Sequence, residues 1–164
     1  HVLQLMQVIH QCETPSLSQM TDLRHMLLQA QAYCKKRSTV FVVSDFISDA
    51  CWEKALGSLA HRHEVIAIRL QDPWEMQLPA LGLFTVQDAE TGEQVLIDAN
   101  HKGFRERYAQ LAQERELALQ KIFEKAHIDC LTLQTDADLG QALLEFMLKR
   151  KKRLHSGIAH RKAA

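Results

Sequence analysis

The chain has 164 residues, an apolar content of 46%, a charged content of 24% and a formal net charge of zero. This length and composition predict one globular domain with its own hydrophobic core, and they exclude a disordered or fibrous chain. Because no apolar stretch approaches the roughly 18 residues of a membrane span and no basic-then-apolar signal pattern opens the chain, we expect a cytoplasmic location.

The first part of the chain predicts two helices joined by a loop. Apolar residues recur at helical spacing from Val2 to Cys12, and residues 13–18 contain the Pro and Ser typical of a loop. A second apolar stripe runs from Leu23 to Cys34, and Thr21 is predicted to be the N-cap of this helix. The chain therefore begins with helices and not with a strand.

A short apolar stretch next predicts the strand that the rest of the domain surrounds. Residues 40–43 are apolar without interruption, which is typical of a strand buried on both faces of a parallel sheet. The strand ends at Ser44 and Asp45, and open α/β sheets bind ligands at the carboxyl ends of their strands. Asp45 is therefore the first functional candidate, as a metal ligand or, alternatively, as a helix-capping or loop carboxylate.

The middle of the chain predicts a βαβ unit followed by a hairpin. Asp49 is predicted to cap a helix from Ala50 to His61, and a strand follows from Glu64 to Leu70. After an irregular connection, two β-prone runs flank the turn at residues 88–93. Because this hairpin interrupts the alternation of strands and helices, we expect it to be antiparallel and to lie at an edge of the sheet.

The last part predicts a long helix, a strand and a final helix. The long helix spans Gly103 to Lys125, and the buried strand spans Ile128 to Leu133. Thr135 or Asp136 is predicted to cap the final helix, which is expected to end at Leu148. The fold class is thus α/β, with an open, mostly parallel sheet flanked by helices.

The distribution of charge separates the body of the chain from its end. Residues 149–164 carry seven Lys and Arg and no acid, while the rest carries 13 Lys and Arg against 20 Asp and Glu. We therefore predict a domain at residues 1–150 and a basic, flexible tail at 151–164. Residues 149–153 could contact phosphates or an anionic membrane surface, but a solvated helix end is the simpler interpretation, and we expect no nucleic-acid partner.

Other conspicuous residue types favour structural roles. The four cysteines form no C-x-x-C pair, so free thiols are expected, with a zinc site or a disulfide as the alternative. His61 and His63 lack the i, i+4 spacing that brings two imidazoles onto one helix face, and Trp52 and Trp74 are predicted to pack in the core. The common nucleotide-binding, zinc-protease and nucleophile-elbow motifs are absent.

Several segments together resemble a known family. They are Thr21-Asp22-Leu23, Ser44-Asp45-Phe46, Asp72-Pro73, the turn at residues 88–93 and the run at residues 131–136. In this order and spacing, over nearly all of residues 20–150, they resemble the bacterial family called domain of unknown function 58. They are similar to the later half of a von Willebrand factor A-like domain.

This resemblance implies a metal-ion-dependent adhesion site that holds Mg²⁺ at the carboxyl edge of the sheet. Thr21 and Asp45 match the ligands of the second and third metal loops of such domains. The D-x-S-x-S motif of the first loop is absent from this chain. Since Mg²⁺ requires six oxygen ligands, we expect a partial domain whose metal site is formed only in a complete protein.

The resemblance further implies a non-enzymatic protein-interaction module that is the partner of a MoxR-type AAA+ ATPase in the assembly or maturation of other proteins. The alternative is a metal-dependent hydrolase or phosphotransfer domain with Asp45 as the catalytic carboxylate. The absence of a second carboxylate in a matching loop disfavours this alternative. A purely structural domain is the third possibility.

Overall fold

The computed structural model describes residues 2–11, 22–48, 51–88 and 91–162. The described elements follow in the order α1 (Val2–Gln11), α2 (Leu23–Tyr33), β1 (Thr39–Ser44), α3 (Glu53–Arg62), β2 (Glu64–Gln71), α4 (Pro73–Met76), β3 (Leu83–Gln87), β4 (Gln94–Asp98), α5 (Lys102–Lys125), β5 (Asp129–Gln134) and α6 (Leu139–Lys162). Each predicted strand and longer helix is present; β1 has its predicted ends, and the ends of most other elements are shifted by a few residues.

The strands form a parallel sheet and a separate antiparallel hairpin. The parallel sheet has the order β1-β2-β5, so β2 lies in the centre. The predicted α/β class, with a mostly parallel sheet flanked by helices, is confirmed. The hairpin of β3 and β4 is also confirmed, but its expected place at the edge of the parallel sheet is wrong, because in the described residues its two strands pair only with each other.

Strand β1 is buried on one face only, which corrects the prediction of a strand buried on both faces. Val42 is 4% exposed, whereas Phe41 and Val43, which point to the other face, are 58% and 54% exposed. The physical reason is that β1 is an edge strand among the described residues, and its neighbouring helices cover one face. An apolar run therefore indicated a strand without indicating how many of its faces are covered.

The main core lies between one face of the sheet and three helices. The sheet contributes Val42, Val65 and Ala67, and the helices α2, α3 and α5 contribute Leu23, Leu27, Ala55, Leu56, Leu59, Leu119 and Phe123. On the opposite face, α6 lies against β5, and Ile66, Leu131 and Leu133 are buried. The sheet is thus covered more completely at β2 and β5 than at β1.

Helix ends depart from the sequence prediction where another carboxylate provides the cap. Asp22 caps α2, since its side chain accepts a hydrogen bond from the main-chain N–H of His25. Thr21, the predicted cap, lies outside the described residues, as does Asp49. Helix α3 begins at Glu53 rather than at residue 50. Helix α4, which was expected to be an irregular connection, is stabilised by a capping box formed by Asp72 and Glu75.

The final helix is longer than predicted and is not capped by Thr135 or Asp136. Asp138 accepts a hydrogen bond from the main-chain N–H of Gln141 at 2.9 Å, as an N-cap does. The helix then continues past Leu148 to Lys162. The basic run at residues 149–153 is consequently part of a helix.

Two arginines of this basic run bind the amino end of the sheet. Arg150 Nε donates to Asp129 Oδ2 at 3.0 Å, and its other end forms an ion pair with Glu64. Arg153 donates to Asp129 Oδ1 at 2.6 Å. Glu64 and Asp129 begin β2 and β5, so these ion pairs attach α6 to both strands.

Structural roles expected for the remaining residues are partly confirmed. Cys34, Cys51 and Cys130 are free thiols, while Cys12 lies outside the described residues. Trp52 is buried as predicted, but Trp74 is exposed on α4. Across the described parts of the chain, no helix combines the length and the apolar character needed to cross a membrane.

Candidate functional site

The carboxyl end of the parallel sheet changes from apolar to polar in a single row of residues. The row Val42, Ala67 and Cys130 belongs to the core or packs against it. Two residues further along each strand, Ser44, Arg69 and Thr132 lie side by side on the same face. This polar row marks the edge at which parallel α/β sheets commonly bind ligands.

Asp45 follows this row directly at the end of β1 and is exposed. Its Oδ1 atom accepts a hydrogen bond from the main-chain N–H of Ile47 at 3.0 Å. The Ser44 hydroxyl accepts one from the main-chain N–H of Phe46 at 3.0 Å and lies 3.4 Å from the same Asp45 oxygen. These bonds form a tight turn that presents the carboxylate to solvent.

The turn is completed by a residue with an uncommon backbone conformation. Phe46 has a φ of 59°, which is unfavourable for a bulky side chain and persists only where the surroundings impose it. Its buried ring contacts the rings of Trp52 and Phe123, with centroid distances of 5.4 and 5.1 Å. Burial of Phe46 therefore holds the neighbouring Asp45 at a defined place on the sheet edge.

The central residue of the polar row is a buried arginine. Arg69 is 4% exposed and forms an ion pair with Glu116 of α5. Burial lowers the pKa of its guanidinium, while the negative charges of Glu75 and Asp45 act in the opposite direction. Its Nε atom is buried and has no hydrogen-bond partner among the described residues. The positive charge of Arg69 thus lies beneath the edge that carries Asp45.

A cleft of about 230 Å³ opens beside this ion pair, between β5 and α5. Its lining comprises Arg69, Glu116, Gln120, Phe123, Glu124, Ile128, Cys130 and Thr132. Burial raises the pKa of the Cys130 thiol, although a hydrogen bond from Thr132 and the charge of Arg69 oppose the shift. The raised pKa keeps Cys130 in the thiol form at neutral pH.

The end of β2 provides a further carboxylate, but its oxygens have structural partners. Asp72 Oδ1 accepts from the main-chain N–H of Trp74 at 2.8 Å, and the Thr135 hydroxyl lies 3.4 Å from Oδ2. Glu75 completes the capping box by accepting from the main-chain N–H of Asp72. Asp72 therefore ties the ends of β2 and β5 to α4.

Of the two predicted metal ligands, the structure describes one. Asp45 lies at the expected edge, and Thr21 falls outside the described residues. Throughout the described ranges, no group of three or more His, Cys, Asp or Glu side chains is placed to hold a metal ion. Asp45 suits Mg²⁺ as a hard oxygen ligand, but the described residues alone do not provide a full donor set.

Arg69 and Glu116 are not among the residues predicted from the sequence. The sequence does contain an indication of the role of Arg69. It is a charged residue near the end of an almost wholly apolar strand, and it lies on the same face of that strand as the buried Val65 and Ala67. A residue in that position must be buried with a partner, since an unpaired charge in a core is strongly unfavourable. The partner is 47 positions away along the chain.

Comparison with known proteins identifies a family and several mycobacterial relatives of the chain. The profile of the family described as "Protein of unknown function DUF58" matches residues 1–118. An uncharacterized protein of Mycobacterium avium is 32% identical over 120 residues, which cover 72% of this chain and 69% of that protein. Uncharacterized proteins of Mycobacterium bovis and Mycobacterium tuberculosis are each 29% identical over 120 residues.

The matched region is a minor part of these last two relatives. It covers 72% of this chain but 37% of the M. bovis protein and 37% of the M. tuberculosis protein. No solved structure matches the chain.

Proposed function

Since the chain belongs to the family described as protein of unknown function DUF58, we propose that it is a non-enzymatic protein-interaction module of the von Willebrand factor A-like type. The proposed binding site is the carboxyl edge of the parallel sheet, centred on Asp45. In the complete protein the site depends on Mg²⁺, and the partner is another protein.

The presentation of Asp45 is the observation that supports this proposal. The carboxylate is exposed at the end of β1, and the hydrogen bonds of the Ser44–Ile47 turn orient it. The buried ring of Phe46 prevents the turn from relaxing. An exposed carboxylate that is held in one place is suited to binding a ligand, because little conformational entropy is lost when the ligand binds.

In the proposed site, Asp45 contributes charge and a hard oxygen atom, and Thr21 contributes a hydroxyl oxygen. The remaining donors would come from a D-x-S-x-S loop like that of similar domains, a motif that does not occur in these 164 residues. Bound Mg²⁺ would supply an open coordination position for an Asp or Glu side chain of the partner. Arg69, which lies beneath the edge and is paired with Glu116, supplies a fixed positive charge next to this site.

The partner that we propose is a MoxR-type AAA+ ATPase, and the process is the assembly or maturation of other proteins in the cytoplasm. This part of the proposal rests on the family resemblance.

The alternative function is a metal-dependent hydrolase or phosphotransfer domain with Asp45 as the catalytic carboxylate. The observation that favours it is the cleft beside Arg69, since guanidinium groups bind phosphate well. Against it, the guanidinium is already paired with Glu116. Turnover of generic phosphate or ester substrates by the purified protein distinguishes an enzyme from a binding module.

The direct test substitutes Asp45→Ala in the complete protein and measures Mg²⁺-dependent capture of its ATPase partner. Asp98→Ala is a matched control, because Asp98 also ends a strand, is exposed and accepts a hydrogen bond from a main-chain N–H two residues later, at 2.9 Å. We expect capture to be lost in Asp45→Ala and retained in Asp98→Ala. Unchanged capture by Asp45→Ala would rule out the proposed site.

A calorimetric titration of the present chain with Mg²⁺ and Mn²⁺ complements this test. Because one carboxylate and one hydroxyl are too few ligands for a tight site, we expect weak binding, with a dissociation constant on the order of millimolar. The heat of binding should disappear in Asp45→Ala and persist in Asp98→Ala. Binding that is equal in all three proteins would place the metal elsewhere.

A further inference from the structure

The hairpin of β3 and β4 leaves the outer edge of β4 open. Among the described residues, β4 pairs only with β3, and neither strand pairs with the parallel sheet. A strand that joined the parallel sheet beside β1 would therefore leave this edge unchanged. Strand β4 contains no proline, and its one charged residue, Asp98, is its last. The edge thus has little of the charge or proline that keeps further strands from pairing.

One hydrogen bond shows which residues of β4 direct their backbone groups to the open edge. The main-chain N–H of Ala99 donates to the carbonyl of Gly82 at 2.9 Å across the hairpin. In an antiparallel pair, hydrogen-bonded positions alternate with positions whose N–H and C=O groups point outward. The odd-numbered residues of β4 therefore bond to β3, while Gln94 and Leu96 direct their backbone groups to the open edge.

A groove lies between this edge and the start of α5. Its volume is about 770 Å³, and its lining includes Leu96, Ile97, His101, Phe104 and Arg107. Volumes of roughly 300–1,000 Å³ are typical of ligand clefts. Because one wall is a strand edge and the other is a helix, the groove is suited to a single extended segment.

The wall formed by α5 combines apolar side chains with an available cation. Phe104, Arg107 and Leu111 share one face of the helix, at the spacing i, i+3 and i+7. Phe104 and Leu111 are 38% and 56% exposed. Arg107 is exposed and forms no ion pair or hydrogen bond with another described side chain. A segment complementary to this wall carries apolar side chains and a carboxylate.

We propose that the groove binds an extended segment of another protein, which pairs with β4 as a third strand of the hairpin sheet. The N–H and C=O groups of Gln94 and Leu96 provide the main-chain hydrogen bonds, as in other cases of strand addition. Alternate side chains of the segment point to α5. These side chains are apolar, except for one Asp or Glu that forms an ion pair with Arg107.

Charge complementarity argues against a second copy of the chain as the occupant. Ile97 lines a cleft together with Tyr108 of α5, so the odd-numbered residues of β4 face the helices. Two copies that paired antiparallel through β4 would direct Val95 and Ile97 of each copy to α5 of the other. Neither side chain is a carboxylate, so Arg107 would be covered without a partner, which is unfavourable.

This inference rests on neither Asp45 nor Mg²⁺. The groove is formed by the hairpin and α5, whereas the proposed metal site lies at the end of β1. Its test is therefore carried out in EDTA, where the Asp45 site plays no part. Failure of one proposal leaves the other standing.

Selection from a displayed library of random octapeptides against the purified chain tests the proposal. We expect the enriched peptides to have apolar residues at alternate positions and one Asp or Glu. A fluorescent synthetic peptide with the most enriched sequence then serves as the probe, and its anisotropy measures the affinity for the chain and its variants. Absence of such enrichment would overturn the proposal.

Proline substitutions on the two edges of the hairpin test the position of the added strand. Leu96→Pro removes an outward N–H from β4 and should weaken binding of the peptide by about tenfold or more. Thr85→Pro is the matched control, because Thr85 is paired with Leu96 and directs its N–H to the outer edge of β3. Thr85→Pro should leave the affinity unchanged. Circular dichroism of both variants checks that they are folded.

A charge exchange tests the contact with α5. Arg107→Glu should weaken binding about tenfold or more, and a peptide with Lys in place of its acidic residue should restore it, since the ion pair re-forms with reversed direction. Equal binding by the wild type and a folded Leu96→Pro variant would overturn the proposal, as would loss of binding in Thr85→Pro alone.

Light scattering identifies the competing occupant. We expect the wild-type chain to have the monomer mass of 18.8 kDa. A dimer of the wild type that becomes monomeric in Leu96→Pro would show that a second copy occupies the groove, and would overturn the proposal.

Discussion

At Arg69, burial and charge oppose each other. The residue lies on the central strand, on the face that forms the core, and is 4% exposed. Such a position is tolerated because Glu116 approaches from α5 and neutralises the guanidinium. The pair joins the sheet to α5 close to its carboxyl edge, which is where a rigid support for the Asp45 turn is required.

The thiols of Cys51 and Cys130 provide a test at the scale of single residues. Burial raises the pKa of Cys130 above its ordinary value of 9.0, whereas Cys51 is exposed. Since the thiolate is the reactive form, we expect Cys51 to be alkylated by iodoacetamide at pH 8 about tenfold faster or more. Mass spectrometry of peptides from the labelled native protein gives both rates.

The raised pKa of Cys130 also makes the free energy of unfolding depend on pH, with a definite sign. The folded state retains the proton of Cys130 above pH 9.0, where the unfolded chain releases it. The unfolded state then binds fewer protons, so this thiol lowers the free energy of unfolding as the pH rises through that range. Cys130→Ala should remove this contribution to the pH dependence of stability. In the labelling experiment, unfolding in urea should make the alkylation rates of Cys51 and Cys130 equal. Equal rates in the native protein would contradict the burial of Cys130.

At the scale of elements, α6 is held to the sheet by charge as well as by apolar contact. Leu131 and Leu133 of β5 are buried on the face near α6, but Leu144 and Met147 of α6 remain exposed. The ion pairs of Arg150 and Arg153 therefore contribute to fixing the helix at the amino end of the sheet. The sequence suggested that the basic run at residues 149–153 is solvated, but in the structure two of its arginines anchor α6 to the sheet.

The contribution of this anchor can be measured with one variant and one control. Arg150→Ala removes contacts with both Asp129 and Glu64, and we expect it to lower the free energy of unfolding by about 1–2 kcal/mol. Lys152 is exposed, so Lys152→Ala should change it by less than about 0.5 kcal/mol. Urea denaturation followed by circular dichroism provides both values.

Salt separates the electrostatic part of this effect from packing. Near 1 M NaCl, ion pairs that remain in contact with solvent are screened, so the difference between Arg150→Ala and the wild type should shrink. Equal destabilisation by Arg150→Ala and Lys152→Ala at low salt would show that the anchor does not stabilise the fold.

At the scale of the whole molecule, the distribution of charge argues against a nucleic-acid partner. The formal net charge is zero, and Arg150 and Arg153 already bind carboxylates. We expect the chain to pass through heparin unretained at about 0.15 M NaCl, because its 20 Lys and Arg are balanced by 20 Asp and Glu, which repel phosphates and sulfates. Asp129→Asn removes the carboxylate that both arginines bind, although Arg150 keeps its ion pair with Glu64, and this variant should elute later than the wild type. Strong retention of the wild type, unchanged in this variant, would contradict the prediction.

The sequence by itself determined most of the local structure. Apolar periodicity and turn residues predicted the order of helices and strands, the hairpin and the strand that ends at Asp45, because these signals depend on neighbours a few positions apart. Segments such as Ser44-Asp45-Phe46 also indicated the family. The predicted metal ligand Asp45 thus lies at the expected edge, while Thr21 and its role remain a prediction.

Only the tertiary structure decided which elements meet. Among the described residues, it places β1 at an edge of the parallel sheet with Phe41 exposed, although an apolar run alone suggested burial on both faces. It joins Arg69 to Glu116 across 47 positions and Arg150 to Glu64 across 86. The physical reason is that strand order and the pairing of buried charges depend on contacts between distant elements, which local periodicity does not encode.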